Sequence, residues 1–185
     1  EVLQTMQVGD EPEGVGISPD GRFVYVTSED DSIVSVIDTS TDTLIKTFKV
    51  GLRPRTAVFS PDSSRAYVSS ERSGTVSVVD TSTHQVIHTI QLNGEIVRPM
   101  GIAIAPDGST IYVTTGRGRD VVAVNTTTNE VTGSVEVGVR PWGIAITPDG
   151  KNLTCLIKTR AYVKWDSMGG KNLYLATNIC TVQRE

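Results

Sequence analysis

The residues best suited to chemistry in this chain flank four prolines. Glu11 and Glu13 bracket Pro12, Arg53 and Arg55 bracket Pro54, Arg98 and Met100 bracket Pro99, and Arg140 and Trp142 bracket Pro141. A second set follows some residues later in each case: Glu29, Asp30 and Asp31, then Glu71 and Arg72, then Arg117, Arg119 and Asp120. Guanidinium groups at equivalent positions of successive units, here Arg53, Arg98 and Arg140, suit an anionic group because their planar forks make charge-assisted hydrogen bonds. We therefore expect Arg53, Arg55, Arg98, Arg140, Trp142, Glu11 and Glu13 to contact a ligand or partner. Solvated surface charge is the plainer account of any one of them.

Other chemistries lack their residues. His84 and His88 stand four apart, but no third ligand accompanies them, so they read as surface residues of an outer strand and no metal site is expected. Cys155 and Cys180 are too few for a disulfide framework and do not form the Cys-x-x-Cys-His attachment of a haem. No Gly-x-Ser-x-Gly elbow marks a nucleophile, and Gly116-Arg117-Gly118 reads as a flexible turn rather than a phosphate loop. We expect no catalytic residues and no cofactor. A formal charge of −4 without a run of like charge argues against nucleic acid, and no apolar stretch is long enough to span a membrane.

The elements that position these residues are repeated. The prolines recur at intervals of about 42 residues, the second interval lengthened by three, and four versions of one phrase surround them: EPEGVGISPDG, RPRTAVFSPDS, RPMGIAIAPDG and RPWGIAITPDG. Three β-rich runs follow in each unit, for example FVYVTS, IVSVID and TLIKTFKV. Apolar residues make up 38% of the chain and aromatics 5%, which suits short strands joined by Gly, Pro and Asp turns.

Asp20-Gly21, Asp107-Gly108 and Asp149-Gly150 supply the positive φ of a two-residue hairpin turn, and Asp38-Thr39, Asp80-Thr81 and Asn125-Thr126 open the next turn. Ser63 replaces the glycine in the second unit, so we expect a strained turn there and a gain in thermal stability from Ser63→Gly. The first strand of each unit, as in Ile102-Ala103-Ile104, is apolar on both faces, which predicts sheets stacked face to face. Four-stranded units stacked in this way predict an all-β fold of β-propeller blades.

The wording of the repeats resembles the YVTN β-propeller family, on Pro99 to Gly108, Tyr112 to Thr115 and Thr75 to Thr81. Within it, the order EPEG, RPR and SSERSGTVSVVDTSTHQVIHTI resembles propeller proteins associated with PQQ-dependent alcohol catabolism. The resemblance implies a periplasmic or extracellular location and a truncated form of a larger ring.

The pattern fails in the fourth unit. Thr154 stands at the tyrosine position, Ala161 to Asp166 (AYVKWD) fits a weak third strand, and Gly169 to Asn178 fits a fourth strand or a scrambled join. We expect a partial propeller of three clear blades and a degenerate fourth, all one domain. Residues 1–8 would be an outer strand of a preceding blade, 9–50, 51–95 and 96–137 blades 1 to 3, and 138–185 the degenerate blade and tail. The start at Glu1, with no charged n-region or apolar h-region in the sequence before it, is expected to be a processed or excised end.

The functional expectation is a non-catalytic binding or scaffold module of the bacterial envelope, recognising a protein or small anionic ligand through loops on one face. The alternative is a remnant of a quinone- or haem-linked oxidoreductase-associated propeller. An unclosed ring would self-associate through its open blade faces.

Overall fold

A computed structural model describes residues 2, 4–94, 96–157, 164–165, 171–172 and 179–183. Strands β1 (Pro12–Ile17), β2 (Phe23–Ser28), β3 (Ile33–Asp38) and β4 (Thr43–Lys49) form one antiparallel meander. Strands β5 (Pro54–Phe59), β6 (Arg65–Ser70), β7 (Thr75–Asp80) and β8 (Gln85–Gln91) form a second. A third comprises β9 (Ile102–Ile104), β10 (Thr110–Thr114), β11 (Asp120–Asn125) and β12 (Val131–Glu136). The fourth sheet joins β13 (Ile144–Ile146), β14 (Asn152–Leu156) and a late strand, while Lys164–Trp165 and Lys171–Asn172 pair as β15 and β16. That late strand, β17, is Ile179–Gln183, so it and not Ala161 to Asp166 takes the third place beside β14. The rest of Ala161 to Asp166 and most of Gly169 to Asn178 lie outside the described residues.

These sheets are the blades read from the repeats. Residues 2 and 4–8, expected as an outer strand, join no sheet among the described residues; Gln4 donates its side-chain amide to the Asp42 carbonyl at 3.0 Å. The chain divides into two compact units, Glu1–Thr89 (unit 1) and Ile90–Glu185 (unit 2).

The tight turns follow one scheme, and it is longer than the two-residue hairpin. Gly21 donates its amide to the Ser18 carbonyl at 2.8 Å, closing a Ser-Pro-Asp-Gly turn, with Pro19 supplying its fixed φ. Only the last residue is left-handed: Gly21, Gly108 and Gly150 have φ of 72°, 72° and 71°, and Ser63 is held at 60°. The Ser63 hydroxyl accepts the Asp20 amide of the neighbouring blade at 3.1 Å. Glycine at this position would therefore relieve backbone strain and remove an inter-blade bond together, which narrows the stability gain expected from Ser63→Gly.

Within each unit, blades stack through a threonine clasp. The Thr27 hydroxyl accepts the Gly14 amide at 2.9 Å and donates to the Arg55 carbonyl of the next blade at 3.2 Å. Thr114 does the same with Gly101 at 2.9 Å and the Trp142 carbonyl at 2.6 Å. The glycines matter because a Cβ on Gly14 would lie 2.1 Å from the Arg55 carbonyl oxygen. In unit 1 this close approach seats Ala57 and Phe59 against Tyr25, Val34 and Val36, and in unit 2 Leu153, Cys155 and Ile157 pack on Ala103, Val121 and Val137. The corresponding residues of β1, Val15 and Ile17, are 72% and 62% exposed, so one face of that strand is uncovered among the described residues, contrary to the expectation of two buried faces.

Candidate functional site

Glu11, Arg53, Arg98, Met100, Arg140 and Trp142 sit in the loops leading into β1, β5, β9 and β13, while Glu13 and Arg55 are the second residues of β1 and β5. Backbone bonds tie these loops to the ends of the following strands: Glu29 donates its amide to the Glu11 carbonyl at 2.9 Å, Glu71 to the Arg53 carbonyl at 2.8 Å, and Trp142 to the Leu156 carbonyl at 2.8 Å. Glu11, Arg53 and Arg140 are all held left-handed, at φ of 50°, 57° and 52°. That conformation costs a non-glycine residue on the order of 1 kcal/mol. Arg98 is not among them; its loop carries the three extra residues.

In unit 1 the two arginines are engaged by carboxylates. Arg55 Nη1 lies 2.8 Å from Glu13 Oε1 and 2.5 Å from Glu29 Oε2, and Arg55 Nε donates to Glu71 Oε2 at 2.8 Å. Arg53 pairs with the other oxygen of Glu29. Glu29 and Arg55 are both nearly buried, with side chains 4% and 10% exposed, so each neutralises a charge that water does not reach. The sequence reading put Glu29 and Glu71 on this loop face but did not pair them with Arg53 and Arg55. The signal was the repeat phase, which brings Glu71 opposite Arg-Pro-Arg. Glu11, Glu29 and Asp30 bring carboxylate oxygens within 4.8 Å of one another, yet both oxygens of Glu29 are already taken by arginine.

His84 is not a surface residue. It occupies the left-handed turn position (φ 49°) that Asp42 and Asn129 hold in the other blades, and its ring is buried. Nδ1 lies 2.7 Å from the Tyr25 hydroxyl, and the ring meets Phe23 edge-on at 4.7 Å. Burial holds the His84 pKa below its usual value, with Lys46 adding to the effect, and burial pushes the Tyr25 phenol up. His88 is exposed on β8, so the two histidines do not share a site.

Unit 2 presents the contrasting arrangement. The position filled by Glu29 and Glu71 is Gly116 in blade 3 and, by repeat phase in the sequence, Lys158 in blade 4, so the neutralising carboxylate is not encoded there. Arg98 donates its amide to the Thr115 carbonyl at 2.9 Å, and the neighbouring Met100 is buried. Arg140 lies over the Trp142 indole, 5.9 Å from the ring centroid. Together with Leu156 and Ile157 they line an open cleft of about 420 Å³. Trp142 is 44% exposed and Leu156 52%. Leu156 stands where Thr27 and Thr114 form the clasp, and a leucine cannot donate that bond.

The family model for "Lactonase, 7-bladed beta-propeller" matches residues 42–165. The chain belongs to this family. The same fold recurs in solved structures. One titled Kuenenia stuttgartiensis Hydrazine Synthase superposes with a TM-score of 0.77 at 24% identity over 95% of this chain and 49% of that one. Another, titled Structure of U3-55K, gives 0.78 at 11% identity over 95% and 54%. At these identities the likeness is one of fold, and the lactonase-family chain spans about half the length of either neighbour. No curated protein matches the sequence. Among the described residues no helix is long and apolar enough to cross a membrane.

Proposed function

We propose that this lactonase-family propeller is a non-catalytic binding module whose ligand site is the cleft around Arg140 and Trp142. The carrying observation is the stacked Arg140–Trp142 pair at an open cleft with an apolar floor of Leu156 and Ile157. A guanidinium beside an indole and a leucine suits a carboxylate on an apolar body, either a small molecule or a side chain presented by a protein. Arg53 and Arg55 serve the scaffold in this reading, because their charges are spent on Glu13, Glu29 and Glu71.

Tryptophan fluorescence tests the assignment, with cyclohexanecarboxylate and neutral cyclohexylmethanol as probes. The carboxylate is expected to bind about tenfold tighter than the alcohol, and Arg140→Gln to erase the difference. Trp142→Phe removes the signal if it comes from this cleft and not from Trp165. Equal response to both probes in the unmodified protein would overturn the proposal.

The family match favours a second reading, hydrolysis of a lactone. Base uptake in a pH-stat with simple sugar and aliphatic lactones decides it: turnover above the spontaneous rate replaces the non-catalytic reading. The quinone- or haem-linked alternative rests on resemblance alone, and the geometry adds nothing to it. We further infer an extracytoplasmic location, supported by the resemblance to exported propellers. Recovery of the native protein in the cytosolic fraction would remove that inference.

A further inference from the structure

We propose that Asn93 is a site of spontaneous covalent modification, deamidating through a succinimide formed with the Gly94 amide. Four junctions in the chain place Asp or Asn before glycine: Asp20-Gly21, Asn93-Gly94, Asp107-Gly108 and Asp149-Gly150. At each, the missing Cβ leaves the glycine nitrogen unhindered for attack on the preceding side chain. The structure separates the four. Gly21, Gly108 and Gly150 donate their amides to the Ser18, Ala105 and Thr147 carbonyls, each at 2.8 Å, so attack there requires a turn bond to break first. The Asp20 and Asp149 carboxyls are also held below their usual pKa, by the Ser18 and Thr147 hydroxyls and then by the Arg22 and Lys151 amides. An ionised carboxylate is a poor electrophile.

Asn93-Gly94 differs on each count. It lies between β8 and β9, in the loop with three extra residues, and both residues are exposed. Among the described residues no hydrogen bond holds the Asn93 side chain or the Gly94 amide. Asn125 is the contrast: its Oδ1 accepts the Thr127 and Thr128 amides at 2.9 Å, and the amide of the next residue, Thr126, is given to the Ser109 carbonyl at 3.0 Å. At Asn93 the electrophile is a neutral amide at every pH. The deprotonated Gly94 nitrogen attacks Asn93 Cγ and closes an imide ring, while the bond from Cγ to the side-chain nitrogen breaks and that nitrogen leaves as ammonia with a proton from water. Water then opens the ring at either carbonyl, giving aspartate or isoaspartate at position 93. The balance is one water consumed and one ammonia released, with no change of oxidation state. The product adds one negative charge to the loop that carries Arg98.

The test is incubation of the full chain in neutral to mildly alkaline buffer, followed by peptide mapping by mass and labelling with an isoaspartyl methyltransferase. The expected product is a peptide in which residue 93 has exchanged NH for O, formed at a rate that rises about tenfold per pH unit because the deprotonated amide is the nucleophile. Asn93→Gln is expected to remove the methyltransferase label from this peptide. Each site's rate in the folded protein is then compared with its rate in urea. Asn93 is expected to keep its unfolded rate within about threefold, and the three aspartates before glycine to slow by about tenfold or more, since their bonded amides must open first. An Asn93 that stays intact in the folded protein while it deamidates in urea would overturn the proposal. So would equal slowing at all four junctions.

Discussion

Arg55 shows how one residue can read as a ligand contact and serve as a structural charge. Its side chain is enclosed by Glu13, Glu29 and Glu71, so removing the guanidinium leaves nearly buried carboxylates unpaired. Arg55→Met is expected to destabilise the protein by about 3 kcal/mol or more, measured by urea unfolding, whereas a surface charge would cost under about 1 kcal/mol. His84 gives the pH dependence. Its folded pKa is depressed, so the unfolded chain takes up the proton first; the contribution is complete above about pH 6.5 and falls as the pH drops below that value. Melting temperature followed from pH 8 to 5 should decline more steeply in the unmodified protein than in His84→Asn, which keeps the left-handed turn without the titrating ring. Parallel curves would contradict the assignment. Neither role was legible in the sequence, because both depend on contacts between blades: Glu29 with Arg55, and Tyr25 with His84.

At the scale of elements the sequence was far more informative. The turns at Gly21, Gly108 and Gly150 were visible in the Pro-Asp-Gly phrase, since proline fixes φ and glycine admits a positive φ whatever the rest of the chain does. The turn type was misjudged because the Ser18 carbonyl closes it, a bond that residue types alone do not reveal. The clasp between blades was hidden for a similar reason. Thr27 and Thr114 look like ordinary strand residues until their hydroxyls meet the Arg55 and Trp142 carbonyls. Gly14→Ala tests the clasp, as its Cβ would press on the Arg55 carbonyl. We expect a loss of about 2 kcal/mol by denaturant unfolding, within the range for overpacking. The same change at Gly133, which has open space around it, should cost little. Equal losses at both positions would mean that the close approach between blades 1 and 2 is unimportant.

For the molecule as a whole, three repeats gave three complete sheets, while the fourth departed where its phrase departed. Leu156 in the clasp position and the arrival of β17 beside β14 follow from residues that no longer keep the repeat phase. The exposed Val15 and Ile17 on β1 carry the expectation of self-association, since the equivalent Ala57 and Phe59 are buried against a neighbouring blade. Light scattering across a concentration series is expected to show mass rising with concentration, and Val15→Ser with Ile17→Thr to suppress the rise. A monomer unaffected by either variable would contradict it. Function depends on which loop cluster is available to a ligand, and the arrangement of charges separates them: paired in unit 1, stacked on an indole in unit 2. Amide chemical-shift mapping during titration with cyclohexanecarboxylate tests that distinction most directly. The account expects the shifts to concentrate on Arg140, Trp142, Gly143, Leu156 and Ile157, whereas shifts centred on Arg53, Arg55 and Glu71, or none at all, would contradict it.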